Sequence, residues 1–502
     1  MHPGNSTTPS YTLALDWRLL VAVSVGLSIW LIAIDPVVNR DAILYLRAAD
    51  AYLQDGLLAS QALFGRPILS VSIAFLHKLT GIPLLWCGHI LTSAFYALLT
   101  WACVSTVAIM GGDRRTQWFA AILILSQPVL NDYRSAIMRD PAYWSLLMLS
   151  LRELLLYVRS PGWRHGTGWV ISILAASVFR FEGLFIALAA PIAVALISAH
   201  PRSWRHGAAL LLPILLAALA GAALFTATNN GQPLFPAIAF YINQIQAFPA
   251  RLEEVQAATG KALLVFTAQE DADVAVYAGL LAVLLLNICR AVSWPLIALW
   301  LWGIANGLQQ RINRTDRGIL WVHLAVASAY LLIFMFSNRF VLERYSSVLT
   351  LFIVLHLAFM LSAWWQTSKG KGWRVLIAVV LIGQSLDTLH NNKYRKSFIR
   401  DANAWVQDHT PADATIASNE MYIAYFSGRQ YDWSHYSAHD FRVAELLRRP
   451  ELYQDADYLV MEVKAAELTA WQAFAVDQGR EEVAVFDGQR DRSLRILRLG
   501  SP

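Results

Sequence analysis

The sequence predicts an all-α polytopic membrane domain of about eleven transmembrane helices with large extracytoplasmic loops. A small C-terminal α/β soluble domain follows it. Three observations predict this. First, 57% of the 502 residues are apolar and only 15% are charged, against roughly 25% charged in soluble domains, and the mean hydropathy is +0.44. Second, the charge is uneven: residues 1–386 hold 43 charged side chains and are net +9, whereas residues 387–502 hold 32 and are net −4. Third, apolar runs of near-span length recur through the first part only. The composition excludes an ordinary soluble enzyme, a disordered chain and a fibrous one.

The spans read as 19–34, 84–110, 118–131, 141–158, 168–181, 184–199, 207–226, 276–308, 318–337, 345–366 and 373–389. The first lacks a basic leading region and a small-residue cleavage site, so it reads as an uncleaved anchor. Five short basic loops hold twelve Lys or Arg: Arg114–Arg115, Arg159–Arg164, Arg202–Arg205, Arg311–Arg317 and Lys369–Arg374. The positive-inside rule puts all five in the cytoplasm and the tail on the far side. That topology needs 276–308 to cross once. At 33 residues it exceeds a simple span, so the sequence predicts a kink near Pro295 or a part outside the core.

Two large loops then face the far side. The first, 35–83, carries Asp35, Arg40, Asp41, Asp50, Asp55 and Arg66. The second, about 227–273, carries Pro233, Pro236, Arg251, Glu253, Glu254 and Asp271. Loops of this length are usually functional. The domain boundary falls at 389/390. In the tail, helices are predicted at 401–408, 423–426 and 468–478, and strands at 414–418, 458–463, 483–486 and 494–499, a small α/β pattern. The acidic tail and membrane-flanking arginines leave no nucleic-acid partner. Cys87, Cys103 and Cys289 all lie in apolar stretches, so no disulfide framework is implied.

The chemistry-bearing residues gather just outside the spans. Asp41 and Tyr45 are four apart at the start of a helical stretch and share a face. Asp41 reads either as an N-cap or as a catalytic base. Arg134, Arg139 and Asp140 follow the third span, Arg180 and Glu182 separate two short spans, and Arg339, Glu343, Arg344 and Tyr345 precede the tenth. Single arginines here could snorkel to headgroups. Arginine–acid clusters on one side instead suit a cavity for an anionic substrate. The sequence holds no HExxH, P-loop, GxSxG or dinucleotide fingerprint. His77 and His89 read as interfacial or packed. A divalent cation between Asp41 and Asp140 is left open.

In order and topology these residues resemble the GT-C superfamily of integral-membrane glycosyltransferases, in particular members related to bacterial protein mannosyltransferases and the lipid A aminoarabinose transferase. The likeness covers most of 17–365. Asp41, Tyr45 and Gly56 stand at the spacing of that family's first-loop acid, tyrosine and glycine. Arg66-Pro67 through Gly81 is similar to its basic-proline helix, Gly111–Arg115 to its basic loop, and Arg139-Asp140 to its later aspartate. Arg180 to Gly183 and on to Pro191 resembles a basic-x-Gly element, here with Phe181-Glu182 inserted. Arg339–Tyr345 resembles the Arg- and Tyr-rich turn before a late span, and 394–413 the opening of an extracytoplasmic domain. Two positions depart from the pattern: Ala42 replaces a second acid, and Arg66 replaces a lysine.

The resemblance implies a hexosyl- or pentosyltransferase of the bacterial inner membrane, with its tail in the periplasm. It implies a polyprenyl-phosphate sugar donor and a glycan, lipid or protein acceptor. Asp41 and Asp140 would be catalytic, with Tyr45, Arg66, Arg139, Arg180, Glu182, Arg339, Arg344 and Tyr345 binding substrate. Two rivals remain at this stage: a polysaccharide polymerase or ligase of another membrane fold, and a lipid or sugar transporter. The transporter would ordinarily show inverted repeats, and the sequence shows no repeat.

Overall fold

The computed structural model describes residues 13–35, 37–198, 200–228, 246, 248–263, 271–367, 371–390, 396–433, 441–480, 482–489 and 491–499. The helices in chain order are α1 Trp17–Ile34, α2 Arg40–Asp55, α3 Leu57–Leu63, α4 Ile68–Thr80, α5 Leu84–Ile109, α6 Arg114–Ser126, α7 Pro128–Asn131, α8 Asp140–Arg159, α9 Trp163–Phe179, α10 Gly183–Ile197, α11 Ser203–Thr228, α12 Phe248–Leu263, α13 Ala272–Val292, α14 Trp294–Ala305, α15 Arg314–Asn338, α16 Glu343–Thr367 and α17 Lys371–Leu389. The tail adds α18 Ser397–His409, β1 Ile416–Ser418, α19 Met421–Phe426, α20 Val443–Leu446, β2 Tyr458–Lys464, α21 Leu468–Asp477, β3 Glu482–Asp487 and β4 Arg492–Arg498. Pro233, Pro236 and Lys369, and the tail opening at 394–395, lie outside the described residues.

Each predicted span contains a helix. Among the described residues, seven helices are long and apolar enough to cross a membrane: α1, α5, α11, α13, α15, α16 and α17. The chain is an integral membrane protein with a small α/β part. α16 is the most enclosed, its apolar window wholly buried inside the fold. The long stretch 276–308 breaks where the sequence predicts. α13 ends at Val292, Ser293 adopts φ 80°, and Pro295 sits in the first turn of α14. A break inside an apolar environment leaves carbonyls to satisfy. The carbonyl of Ala291 accepts from Gln127 Nε2 at 2.5 Å and from Thr350 Oγ1 at 3.1 Å. Gln384 Nε2 donates to Ser293 Oγ at 2.9 Å.

The chain forms two compact units. The first comprises Met1–Gly26, Ser93–Tyr133 and Arg139–Thr388; the second comprises Leu27–Thr92, Arg134–Met138 and Leu389–Pro502. The tail from Leu389 onward falls in the second unit. The first far-side loop, however, belongs with the tail.

In the second unit the sheet order is β1-β2-β4-β3. β1 runs parallel to β2, and β4 runs antiparallel to both β2 and β3. Alternation along β2 divides its side chains between two faces. Leu459, Met461 and Val463 pack with Trp471 and Phe474 of α21. Tyr458 and Val460 pack with Phe398, Ala402 and Val406 of α18. Val37 of the first far-side loop is buried in that same core. The loop is thereby tied to the tail by apolar burial, worth roughly 1.5–3 kcal/mol for one fully buried valine-sized side chain.

Candidate functional site

The first unit builds an arginine–carboxylate–tyrosine network at one end of its helices. The end is fixed by the helix bounds. Asp140 opens α8, whose other end is the basic residue Arg159. Arg180 and Glu182 form the turn from α9 to α10, and Glu343–Tyr345 open α16. α15 starts at Arg314 and brings Tyr330 to the same end. The network therefore lies opposite the basic loops.

Arg180 is the hub, with its side chain 14% exposed. Its Nη1 donates to Asp140 Oδ1. Its Nη2 and Nε donate to Glu182 Oε1 at 2.6 and 3.1 Å. Tyr330 donates its hydroxyl to the same Glu182 oxygen at 2.6 Å. Burial alone would raise the Glu182 carboxyl. The Arg180 charge, with hydrogen bonds from Arg180 and Tyr330, outweighs it and holds the group down to about 2. Glu182 is therefore ionised throughout the physiological range, and Arg180 is pinned between two carboxylates.

An aromatic layer borders the hub. The Arg180 guanidinium lies 4.8 Å from the centroid of the Tyr345 ring, and that of Arg344 lies 5.1 Å from it. Arg344 Nη2 also donates to the Tyr345 hydroxyl at 3.3 Å. Two cations thus lie within cation–π distance of the Tyr345 ring. Phe185 stacks on Tyr330 at 5.9 Å, and Phe334 meets Tyr345 edge-on at 5.1 Å. Three of Arg180's donors are committed to carboxylates.

The second unit carries Asp41, Tyr45 and Arg66. Asp41 is the second residue of α2, and the cap position belongs to Asn39. The Asn39 side chain accepts from Ile137 N at 3.1 Å and donates to Ile137 O at 3.5 Å. This removes the N-cap reading of Asp41. A carboxylate in the first turn still gains from the helix dipole. Asp41 is half-buried, Tyr45 is buried, and Arg66 is exposed. Tyr45 meets Phe64 edge-on at 5.1 Å.

The start of α2 is anchored by the tail. Arg40 Nη2 lies 3.3 Å from Glu420 Oε2 and 3.8 Å from Glu462 Oε2. Burial pushes the Glu420 carboxyl above the usual range, against the pull of Arg40. About two turns further along, the Arg47 guanidinium lies 3.6 Å from the centroid of the Trp433 ring. Lys396 Nζ lies 3.8 Å from Asp35 Oδ2, and Ser135 donates to the same oxygen at 3.2 Å.

Asp140, Arg180, Glu182, Arg344 and Tyr345 are thus brought together in the first unit. Arg139 immediately precedes α8 as its cap residue. Arg339 is not drawn in. It is exposed, sits in the left-handed region at φ 59°, and closes α15. Sequence reasoning missed Tyr330, a lone polar residue in an apolar run, and Glu420, Glu462 and Trp433 in the tail. For a metal, the donor set does not fit. Asp140 is neutralised by an arginine, and among the described residues no group of three or more His, Cys, Asp or Glu could hold an ion. His77 Nδ1 contacts the Ile82 carbonyl at 2.7 Å, and His89 is buried.

No protein-family model matches the chain, and no curated protein matches it. Solved structures do. The chain is similar to the Archaeoglobus fulgidus oligosaccharyltransferase tethered with an acceptor peptide containing the NVT sequon, with a TM-score of 0.48 and 11% identity over 91% of this chain and 71% of that one. It is similar to the arabinofuranosyltransferase AftD from Mycobacteria, with a TM-score of 0.47 and 16% identity over 97% of this chain; it spans 42% of that protein. It is also similar to ArnT from Cupriavidus metallidurans bound to undecaprenyl phosphate, with a TM-score of 0.46 and 13% identity over 97% of this chain and 99% of that one.

Proposed function

We propose that the protein is a membrane glycosyltransferase. It moves a hexosyl or pentosyl group from a polyprenyl-phosphate donor to an acceptor hydroxyl on the extracytoplasmic face of the bacterial inner membrane. The observation that carries this reading is the network of Asp140, Arg180, Glu182 and Tyr330 beside Arg344 and Tyr345, at the helix ends opposite the basic loops. Ionisable groups at such positions are costly and serve a substrate more often than the fold alone.

Asp41 acts as general base. It takes the acceptor proton as the hydroxyl oxygen attacks the anomeric carbon, and the sugar–phosphate bond breaks with inversion. The departing polyprenyl phosphate carries the negative charge, which arginines of the binding surface, Arg344 among them, stabilise through charge-assisted hydrogen bonds. Asp140 and Glu182 fix the orientation of Arg180, and Arg139 and Tyr345 complete the binding surface. Preorganised charge of this kind needs no rearrangement during the reaction. The soluble tail restricts or presents the acceptor.

The test is incubation of the purified full chain with labelled polyprenyl-phosphate sugars and solubilised envelope glycans and lipids. Loss of lipid-extractable label in step with gain of labelled product supports the reading. Retention of all label in the donor lipid, for every sugar tried, would falsify it. Arg344→Ala should weaken donor affinity by roughly ten- to hundredfold, the range for loss of a hydrogen bond to a charged group. Unchanged affinity removes Arg344 from the phosphate site.

A further inference from the structure

A groove lies far from the network just described, at the basic-loop end of the first unit. It has a volume of about 860 Å³ and runs between α6 and α17, with the last turn of α16 as its back wall. Its size falls within the roughly 300–1,000 Å³ of small-ligand sites. Its lining changes character along its length. Arg114 and Arg115 stand at one end, Trp118 and Trp365 follow, and Ile122 and Leu381 continue into the apolar part. The Arg374 guanidinium lies 5.9 Å from the centroid of the Trp365 ring. Trp118 and Ile122 are exposed toward the groove at 41% and 37%.

Arg115 interacts electrostatically with Asp113, so the charge left over at the mouth is that of Arg114. Asp113 is the only acid in the lining. Its Oδ1 caps α6, accepting from Thr116 N at 2.8 Å and from Thr116 Oγ1 at 2.6 Å, and its Oδ2 accepts from Gln366 at 3.5 Å. Arg114 makes no hydrogen bond or ion pair among the described residues. The contrast with another basic loop is direct, because Arg159 there is paired with Asp316. Cations, then tryptophans, then aliphatic side chains along one groove match a phosphate, a glycerol-ester layer and acyl chains in that order.

We propose that this groove binds one anionic phospholipid, its headgroup phosphate on Arg114 and Arg115 and an acyl chain along Ile122 and Leu381. The site is separate from donor binding and stands whether or not the transferase reading holds.

The test is native mass spectrometry of the detergent-solubilised full chain titrated with dioleoylphosphatidylglycerol or dioleoylphosphatidylcholine. The expected result is one saturable phosphatidylglycerol site and markedly weaker phosphatidylcholine retention. R114Q/R115Q should weaken phosphatidylglycerol retention by roughly thirtyfold, from the usual contribution of two basic residues to anionic-lipid binding. R202Q/R205Q, at a different basic loop, should leave it unchanged. Ile122→Trp, which fills the groove without touching charge, should also abolish the saturable site. It keeps the test decisive if the arginine variant folds poorly. Equal retention of the two lipids overturns the proposal. So does an equal loss in both arginine variants, or wild-type binding by Ile122→Trp.

Discussion

Glu182 decides what Arg180 can do. Its carboxylate accepts from both Arg180 and Tyr330, and it is this contact that holds it at about 2. A carboxyl whose folded value lies below its unfolded value of roughly 4.3 stabilises the fold above that unfolded value and loses the contribution as pH falls through about 2. Glu182→Gln should therefore cost about 3 kcal/mol at pH 7. The gap to wild type should close progressively below about pH 4, as read by thermal unfolding in detergent. A pH-independent gap contradicts the assignment. Tyr330→Phe should cost about 1.5–3 kcal/mol, the usual value for a hydrogen bond to a charged group, in the same melt at pH 7. No measurable loss would mean that the hydroxyl is not engaged. The sequence marked Glu182 as the acid beside Arg180 between two short spans and as an insertion that loosened a family spacing. In the fold that inserted acid completes the ion-pair network. Tyr330 was illegible because one hydroxyl among apolar neighbours reads as packing until a helix 148 positions away meets it.

Among the elements, the α9–α10 turn matters most, because it carries Arg180 and Glu182 together. It closes tightly at Gly183. A Cβ there would meet Ser177 Oγ at 2.7 Å and the Ser177 backbone at 3.0 Å. Gly183→Val must push the turn away from α9. We expect a stability loss of about 1–3 kcal/mol, as for other overpacked sites, with a larger fall in transfer rate than in donor affinity. Unchanged melting and turnover would show that the turn tolerates displacement. Helix existence was legible here because apolar runs and charged ends mark spans. Direction was not. Arg339 and Arg344 are five apart and looked equivalent, yet the left-handed φ at Arg339 sends it to solvent while Arg344 begins α16 beside Tyr345.

At the scale of the molecule, composition alone separated the membrane part from the polar tail, and the tail's helices and strands fell where their patterns placed them. The grouping of the first far-side loop with the tail was not legible. It rests on Val37 in the tail's core and on Arg40 meeting Glu420, 380 positions away. Neither leaves a periodic trace in the sequence. These contacts hold the start of α2, and with it Asp41, to the soluble sheet.

The most direct measurement is transfer of labelled sugar from polyprenyl phosphate by the purified wild-type chain and by Asp41→Asn, with donor binding followed in parallel. We expect the variant to insert and bind donor normally while turnover falls by at least about a hundredfold, the usual contribution of a general base. Wild-type turnover by Asp41→Asn would contradict the account.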